Sequence, residues 1–329
     1  MKKTDKTYSQ KKPGSDRVQK LSSGFLVSTF KETPEGFHPG KASPRELLVY
    51  GFPRKPDPKE EPQLRAIWDR VFSKSRRMIK PQFLENPDIT HRHARKAKLT
   101  AGDKSGGIAN ATSTNWSGAA QFAQNNTAFS WVAGQWTVPN PHAPSNGTFY
   151  ASEWVGIDGW NSSDVCQAGT ETQATKILWF STSHVYTWWE WFPSGEVAIS
   201  NLPVSAGDVM YCLICINSST SATIYFTNQS TGDMTSFMIT APRGTTLVGN
   251  CAEWVVERPS VGGSPASLSD YGVVYFDECL AFCHGTGGQF VDNLNSATPI
   301  TMTGAGGATL SSPTIENNNV LKVTWRKSS

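Results

Sequence analysis

The sequence predicts an all-β chain: an antiparallel β-sandwich preceded by a basic, partly helical N-terminal segment. Beyond residue 110, short runs rich in aromatic and β-branched residues follow one another, separated by Gly, Pro, Asn and Ser. That is the texture of many short strands joined by turns. Strands and helical patterns do not alternate there, which argues against a doubly wound nucleotide fold. Charge divides at the same point. Residues 1–110 carry 24 Lys and Arg against 12 Asp and Glu, a charge of +12, whereas residues 111–329 carry 6 against 15, a charge of −9. The expected organisation is a basic segment with a linker over 1–110 and a sandwich domain over 111–329.

In chain order, residues 1–58 are rich in Lys, Pro, Gly and Ser, with apolar islands such as Leu47-Leu48-Val49-Tyr50, and read as mostly irregular. From Glu60 to about Met78, Leu64, Ile67, Trp68, Val71 and Phe72 fall on one face of a helix, the only convincing helical pattern in the chain. His91 to Lys98 is a basic run followed by Gly/Ser-rich sequence, which reads as an exposed, cleavable linker. Strands are then expected at Ala128–Val138, Thr148–Gly156, Ile177–Phe180, His184–Phe192, Val209–Ile216, Ala222–Thr227, Ala252–Glu257, Val273–Phe276 and Val320–Trp325.

Composition narrows the function. Hydrophobic residues make up 38% and charged residues 17%, enough for a real core. The 12 Trp suit a core or a binding groove. No apolar run reaches the ~20 residues of a membrane helix. The N-terminus, Met1-Lys-Lys-Thr-Asp-Lys-Thr-Tyr, lacks the apolar stretch of a secretory signal. All six Cys lie in the second segment, an even count that permits disulfides in an exported protein. Cys212-Leu-Ile-Cys215 has CxxC spacing, but on a strand residues three apart point to opposite faces, so it is a poor metal site. Seven Asn-x-Ser/Thr sequons lie among Ser- and Asn-rich loops.

Standard catalytic motifs are missing from the second segment. It has no GxSxG, HExxH, Walker-type or GxGxxG sequence, no Asp-Thr-Gly loop, and only three His (His142, His184 and His284). What remains are carboxylates and amides among aromatic strands: Trp154 and Asp158 in Glu153-Trp-Val-Gly-Ile-Asp-Gly159, Gln167 in Val165-Cys-Gln-Ala-Gly169, Glu190 in Tyr186-Thr-Trp-Trp-Glu-Trp-Phe-Pro193, and Glu253 and Glu257 in Asn250-Cys-Ala-Glu-Trp-Val-Val-Glu-Arg-Pro259. A period of two puts Glu253, Val255 and Glu257 on one strand face. Apolar neighbours disfavour a carboxylate's charge, one way to tune a general acid or base.

These blocks, with Asn115-Trp-Ser-Gly-Ala before them, occur in the order and spacing of the eqolisin family of glutamic peptidases, which the chain resembles over about residues 115–278. The resemblance implies a sandwich of two seven-stranded antiparallel sheets. It implies a catalytic pair of Gln167 and Glu257, supported by Trp154, Asp158 and Glu190. Cys166 and Tyr186 depart from the family's usual residues at their positions. The implied reaction needs no metal or other cofactor: Glu257 activates water and Gln167 stabilises the oxyanion. The expected protein is a monomeric, acid-acting endopeptidase on polypeptide substrates, with residues 1–110 as a pro-segment. No nucleic-acid or membrane partner is expected, and the resemblance points to a secreted or extracytoplasmic protein. The alternatives are a non-catalytic carbohydrate-binding sandwich, or a glycosidase using two of Glu190, Glu253 and Glu257. Gln167 discriminates, since a glycosidase needs two carboxylates.

Overall fold

β-branched and aromatic residues alternate with small ones over most of the chain, and the backbone is accordingly extended. In the computed structural model, residues 17–94, 98–100, 110–124, 127–160, 162–285, 288–292 and 294–329 are described. The N-terminal segment contains β1 (Arg17–Lys20), β2 (Leu26–Thr29), α1 (Pro44–Val49), α2 (Pro62–Phe72), β3 (Arg77–Met78), β4 (Phe83–Asn86) and β5 (Ile89–Thr90). Next come β6 (Lys98–Thr100), β7 (Asn110–Ser113), β8 (Trp116–Phe122), β9 (Thr127–Thr137), β10 (Gly147–Asp158), β11 (Val165–Ile177), β12 (Phe180–Phe192) and β13 (Glu196–Ile199). The chain continues through β14 (Val209–Ser218), β15 (Ser221–Asn228), β16 (Asp233–Thr240), β17 (Cys251–Glu257), β18 (Ser260–Val261) and β19 (Ser264–Pro265). It ends with β20 (Val273–Gly285), β21 (Gly288–Asp292), β22 (Thr298–Thr303), β23 (Thr309–Ile315) and β24 (Leu321–Trp325).

The strands form two packed layers. One runs β22-β8-β17-β10-β11-β12-β13, antiparallel throughout. The other runs β23-β24-β20-β9-β14-β15-β16, also antiparallel. Trp189, Trp191, Val155 and Trp254 of the first layer meet Trp136, Phe226, Phe237 and Phe276 of the second in the core. Two indole N–H groups find partners across it: Trp254 Nε1 donates to the Ala133 carbonyl (2.8 Å) and Trp136 Nε1 to Thr170 Oγ1 (2.9 Å). The all-β, mainly antiparallel expectation holds. Two separate seven-stranded sheets do not, because the β22–β23 pairing carries the ladder from one layer into the other and N-terminal strands add to the edges. Among the described residues, 21 strands join in one sheet.

The N-terminal segment departs from its expected irregularity. Its backbone groups pair with the sandwich: β4 extends the edge beyond β13, and β2 and β3 line β16. Helix α1 forms where only an apolar island was read, closed by a capping box in which Ser43 and Glu46 satisfy each other's backbone N–H. Helix α2 is shorter than its pattern, because Arg77–Met78 leaves the helix to pair with β16. Its Trp68, Val71 and Phe72 pack on Tyr211, Leu213 and Tyr225 of β14 and β15. The run Ile177–Phe180, expected to be a strand, is the β11–β12 turn, with Leu178 at φ 56°. Cys212 points into the interlayer core and Cys215 toward the α2 cluster, on opposite faces as the period of two requires. No helix among the described residues is long and apolar enough to cross a membrane.

Candidate active site

Strands β8, β17, β10, β11, β12 and β13 alternate their side chains between the interlayer core and the outer face of their layer. Cys166, Ala168, Trp189, Trp191, Trp254, Val256 and Val197 take the inner positions. The intervening residues, Gln167, Glu171, Trp188, Glu190, Trp154, Glu257 and Glu196, therefore share the outer face. Register brings them together: Gln167 lies opposite Glu190 on β12 and opposite Gly156 on β10, and Glu257 lies opposite Ser152. Gly156 keeps room for the amide, since a Cβ there would stand 3.2 Å from Gln167 Cβ and 2.9 Å from the Trp154 ring.

This outer face is covered by residues 91–94. Gln167 Nε2 donates a short hydrogen bond to the His91 carbonyl, and the His91 N–H donates to Glu190 Oε2 at 2.8 Å. The next carbonyl, of Arg92, accepts from Trp116 Nε1 (3.0 Å) and Asn115 Nδ2 (3.2 Å). The Ala94 N–H reaches the Gly159 carbonyl at 3.0 Å. The backbone is thus gripped along an extended strap, as a bound peptide would be. The basic run read as an exposed linker is buried at His91 and Ala94; residues 95–97 and 101–109 lie outside the described residues.

Glu257 accepts from Trp154 Nε1 and from Asn115 Nδ2, each at 3.0 Å, and its Oε2 lies 3.5 Å from His91 Nδ1. Burial pushes its carboxyl above the usual range, against the pull of these donors. Burial likewise pushes Glu190 and Glu171 well above the usual carboxylate range. Burial acts the other way on His91, but Glu196, Glu257 and Glu190 outweigh it and hold the imidazole well above its ordinary value. The ring stacks on Trp188, with centroids 3.5 Å apart and planes 8° off parallel.

Of the five residues singled out from the sequence, Gln167, Glu257, Trp154 and Glu190 converge here. Asp158 does not join them. At the end of β10 with φ 72°, it accepts the backbone N–H groups of Val248, Gly249 and Asn250 at 2.6, 3.1 and 2.7 Å, fixing the loop that enters β17. Sequence reasoning missed His91, Glu171 and Glu196, and gave Asn115 no role. Period-two counting from Gln167 reaches Glu171 and could have found it; nothing local marks His91 or Glu196. His91 Nε2 and carboxylate oxygens of Glu171 and Glu196 lie within 4.8 Å of one another, a donor set a metal could use. The 2.9 Å contact from His91 Nε2 to Glu196 Oε2 makes it an ion pair as it stands.

A family model described as the Peptidase A4 family matches residues 114–325. Aspergillopepsin-2 of Aspergillus niger is 27% identical over 193 residues, covering 53% of this chain and 66% of the relative. Scytalidopepsin B of Scytalidium lignicola is 28% identical over 144 residues, covering 44% of this chain and 51% of the relative. The chain therefore spans about half to two thirds of the length of these curated relatives. Among solved structures, scytalido-glutamic peptidase with a transition state analogue inhibitor aligns with a TM-score of 0.54 at 19% identity, over 65% of this chain and 98% of that one. SCP-B, a member of the eqolisin family in a complex with the tripeptide Ala-Ile-His, aligns with a TM-score of 0.50 at 17% identity, with the same coverage. Both likenesses are in fold.

Proposed function

The chain belongs to the Peptidase A4, or eqolisin, family, and from that premise we propose that it is an acid-acting glutamic endopeptidase made as a self-blocked precursor. One observation carries this reading: the Gln167 amide donates to a backbone carbonyl, that of His91, while Glu257 lies beside the same residue. In turnover, the Glu257 carboxylate takes a proton from water as the water oxygen attacks the scissile carbonyl carbon. The Gln167 N–H stabilises the oxyanion that forms. Glu257 then returns the proton to the departing nitrogen, and the tetrahedral intermediate collapses to acid and amine. Trp154 and Asn115 hold the carboxylate in place, and Glu190 receives the substrate N–H. No cofactor takes part in these steps.

Residues 1–110 act as the pro-segment. Its strap is buried across the pair, Glu257 is fully engaged by protein donors, and water is kept from the carbonyl. The protein works on polypeptides outside the cytoplasm, as a monomer. The glycosidase alternative is less well supported, since Glu190 reads a peptide N–H here, a group a sugar chain does not offer. For the carbohydrate-binding alternative, Trp154, Trp188, Trp189, Trp191 and Trp254 are all buried, and the exposed rings Trp179 and Phe180 lie at the β11–β12 turn with no polar groups among the described residues built around them into a site.

The test is hydrolysis of denatured casein between pH 2 and 7 by full-length protein, before and after acid incubation, with and without pepstatin. Activity that appears only after acid treatment and survives pepstatin is expected. No hydrolysis at any pH, or complete block by pepstatin, overturns the proposal.

A further inference from the structure

We infer that the pocket holding the His91 ring is a subsite for an imidazolium side chain, selecting peptides with histidine at the residue whose carbonyl Gln167 contacts. This rests on the peptidase reading, which makes that residue the one before the scissile bond. The pocket has a floor, two acceptors and a brace. The indole of Trp188 is the floor, stacked at 3.5 Å under the ring. Glu196 Oε2 faces Nε2 at 2.9 Å and Glu257 Oε2 faces Nδ1 at 3.5 Å. Glu171 adds a carboxylate oxygen 4.0 Å from Nε2, itself held by the Ser152 hydroxyl. The brace is the Tyr186 hydroxyl, which donates to Glu196 Oε1 at 2.6 Å and leaves Oε2 turned to the ring.

A flat ring that donates from its edge suits these walls, and an imidazole is the one held here. The imidazole edge meets Glu196 at Nε2, and a second carboxylate oxygen, of Glu257, stands 3.5 Å from Nδ1, so negative charge flanks the ring on both sides and favours its charged form. A phenyl ring would stack but leave the Glu196 oxygen without a donor in a site closed to water. A lysine would bring charge, and its ammonium can sit over an indole, but its flexible stem offers no flat face to stack along Trp188 as the imidazole does. Glu196 and Trp188 are thus the specificity-determining residues, and neither the Gln167–Glu257 pair nor the aromatic core requires an acid at position 196.

Two experiments test it. In the full-length chain, His91→Ala empties the pocket without touching its walls. Binding of 4-methylimidazole at pH 5, where the free base is protonated, is followed by tryptophan fluorescence, with p-cresol (ring without charge) and n-butylamine (charge without ring) as comparisons. The methylimidazole should bind at least tenfold more tightly than either, and the preference should vanish when Glu196→Gln is added. Equal binding of p-cresol, or no binding of 4-methylimidazole, overturns the subsite whatever the casein result. In the second experiment, the acid-treated chain is assayed on casein with peptides of the sequence of residues 88–95 as competitors, carrying His, Phe, Lys, Arg or Leu at position 91. The histidine peptide should compete at least tenfold better, whether it is cut or merely held. Casein hydrolysis with no ranking among the peptides leaves the peptidase reading intact and rejects the subsite. Methylimidazole binding without casein hydrolysis rejects the peptidase reading and keeps the pocket.

Discussion

Glu257 and Gln167 differ in what the rest of the site asks of them. Glu257 is held by Trp154 and Asn115, so its place is fixed before any substrate arrives. On the proposed mechanism, Glu257→Gln keeps the shape but leaves no base to accept the water's proton. Turnover of casein by the acid-activated protein should fall about 10²–10⁴-fold, with an unchanged melting temperature as the check on folding. A turnover near normal, with Glu253→Gln inactive instead, would remove Glu257 from its role. Gln167 is asked for one N–H. Gln167→Ala should cost about 10²–10³ in kcat with KM changed less, because the bond strengthens as charge develops on the oxygen. A change confined to KM would make it a binding residue only. Both were singled out through the resemblance carried by the order of the aromatic blocks; periodicity alone placed Glu257 on one face with Glu253 and chose neither. His91 was not singled out, since its contact with Gln167 spans 76 positions.

At the scale of elements, the N-terminal segment is held to the sandwich in two ways: by strand pairing at the sheet edges and by the apolar face of α2. Trp68 is buried there, packs near Phe72, and its Nε1 donates to the Pro53 carbonyl at 3.1 Å. Trp68→Ala should therefore loosen the segment by about 3–5 kcal/mol. Casein hydrolysis should then appear at a higher pH than in the unaltered precursor. An unchanged activation pH would show that α2 does not help to hold the strap. The helical face was readable from spacing alone. Helix α1, β2, β3 and β4 were not, because their stability comes from capping or from edges contributed by β13 and β16, well over a hundred residues away along the chain.

Over the whole molecule, two sets of carboxylates respond to acid in opposite senses. Within the sandwich layers, burial raises Glu153 to about 8, and it also raises Glu253 and, on the outer face under residues 91–94, Glu171 and Glu190. A raised carboxylate holds its proton in the folded state when the unfolded chain has lost it. Its contribution is therefore present below the ordinary value and is lost as pH climbs through the folded one. At the seam, Asp233 is lowered by its hydrogen bonds from Arg77, which joins the N-terminal segment to β16. A lowered carboxylate contributes above its ordinary value, 3.8 here, and loses that contribution as pH falls through the folded one. Arg70 with Glu278 is a second ion pair across the same seam. Acid thus weakens the seam while the sandwich keeps its stability. Hydrogen exchange should show α2 losing protection as pH falls below 3.8 while β17 stays protected, and the sandwich losing stability between about pH 5 and 8. Simultaneous loss in α2 and β17 at pH 3 would contradict this division. The basic and acidic halves seen in composition act in the same direction, and salt should assist release.

The sequence by itself determined the all-β character, the α2 face and the shared strand face of Glu253 and Glu257, and its blocks carried the resemblance that pointed to Gln167 and Glu257. All of these depend on local periodicity or on short blocks whose spacing survives in one dimension. Only the tertiary structure decided that the strap at His91 lies across that pair, that Glu196 and Trp188 enclose its ring, and that Asp158 serves the loop before β17 instead of the site. It also decided that the ladder runs unbroken through β22 and β23. Each of these depends on which distant strands become neighbours, a choice made by burying the tryptophan core and satisfying edge hydrogen bonds across the whole chain.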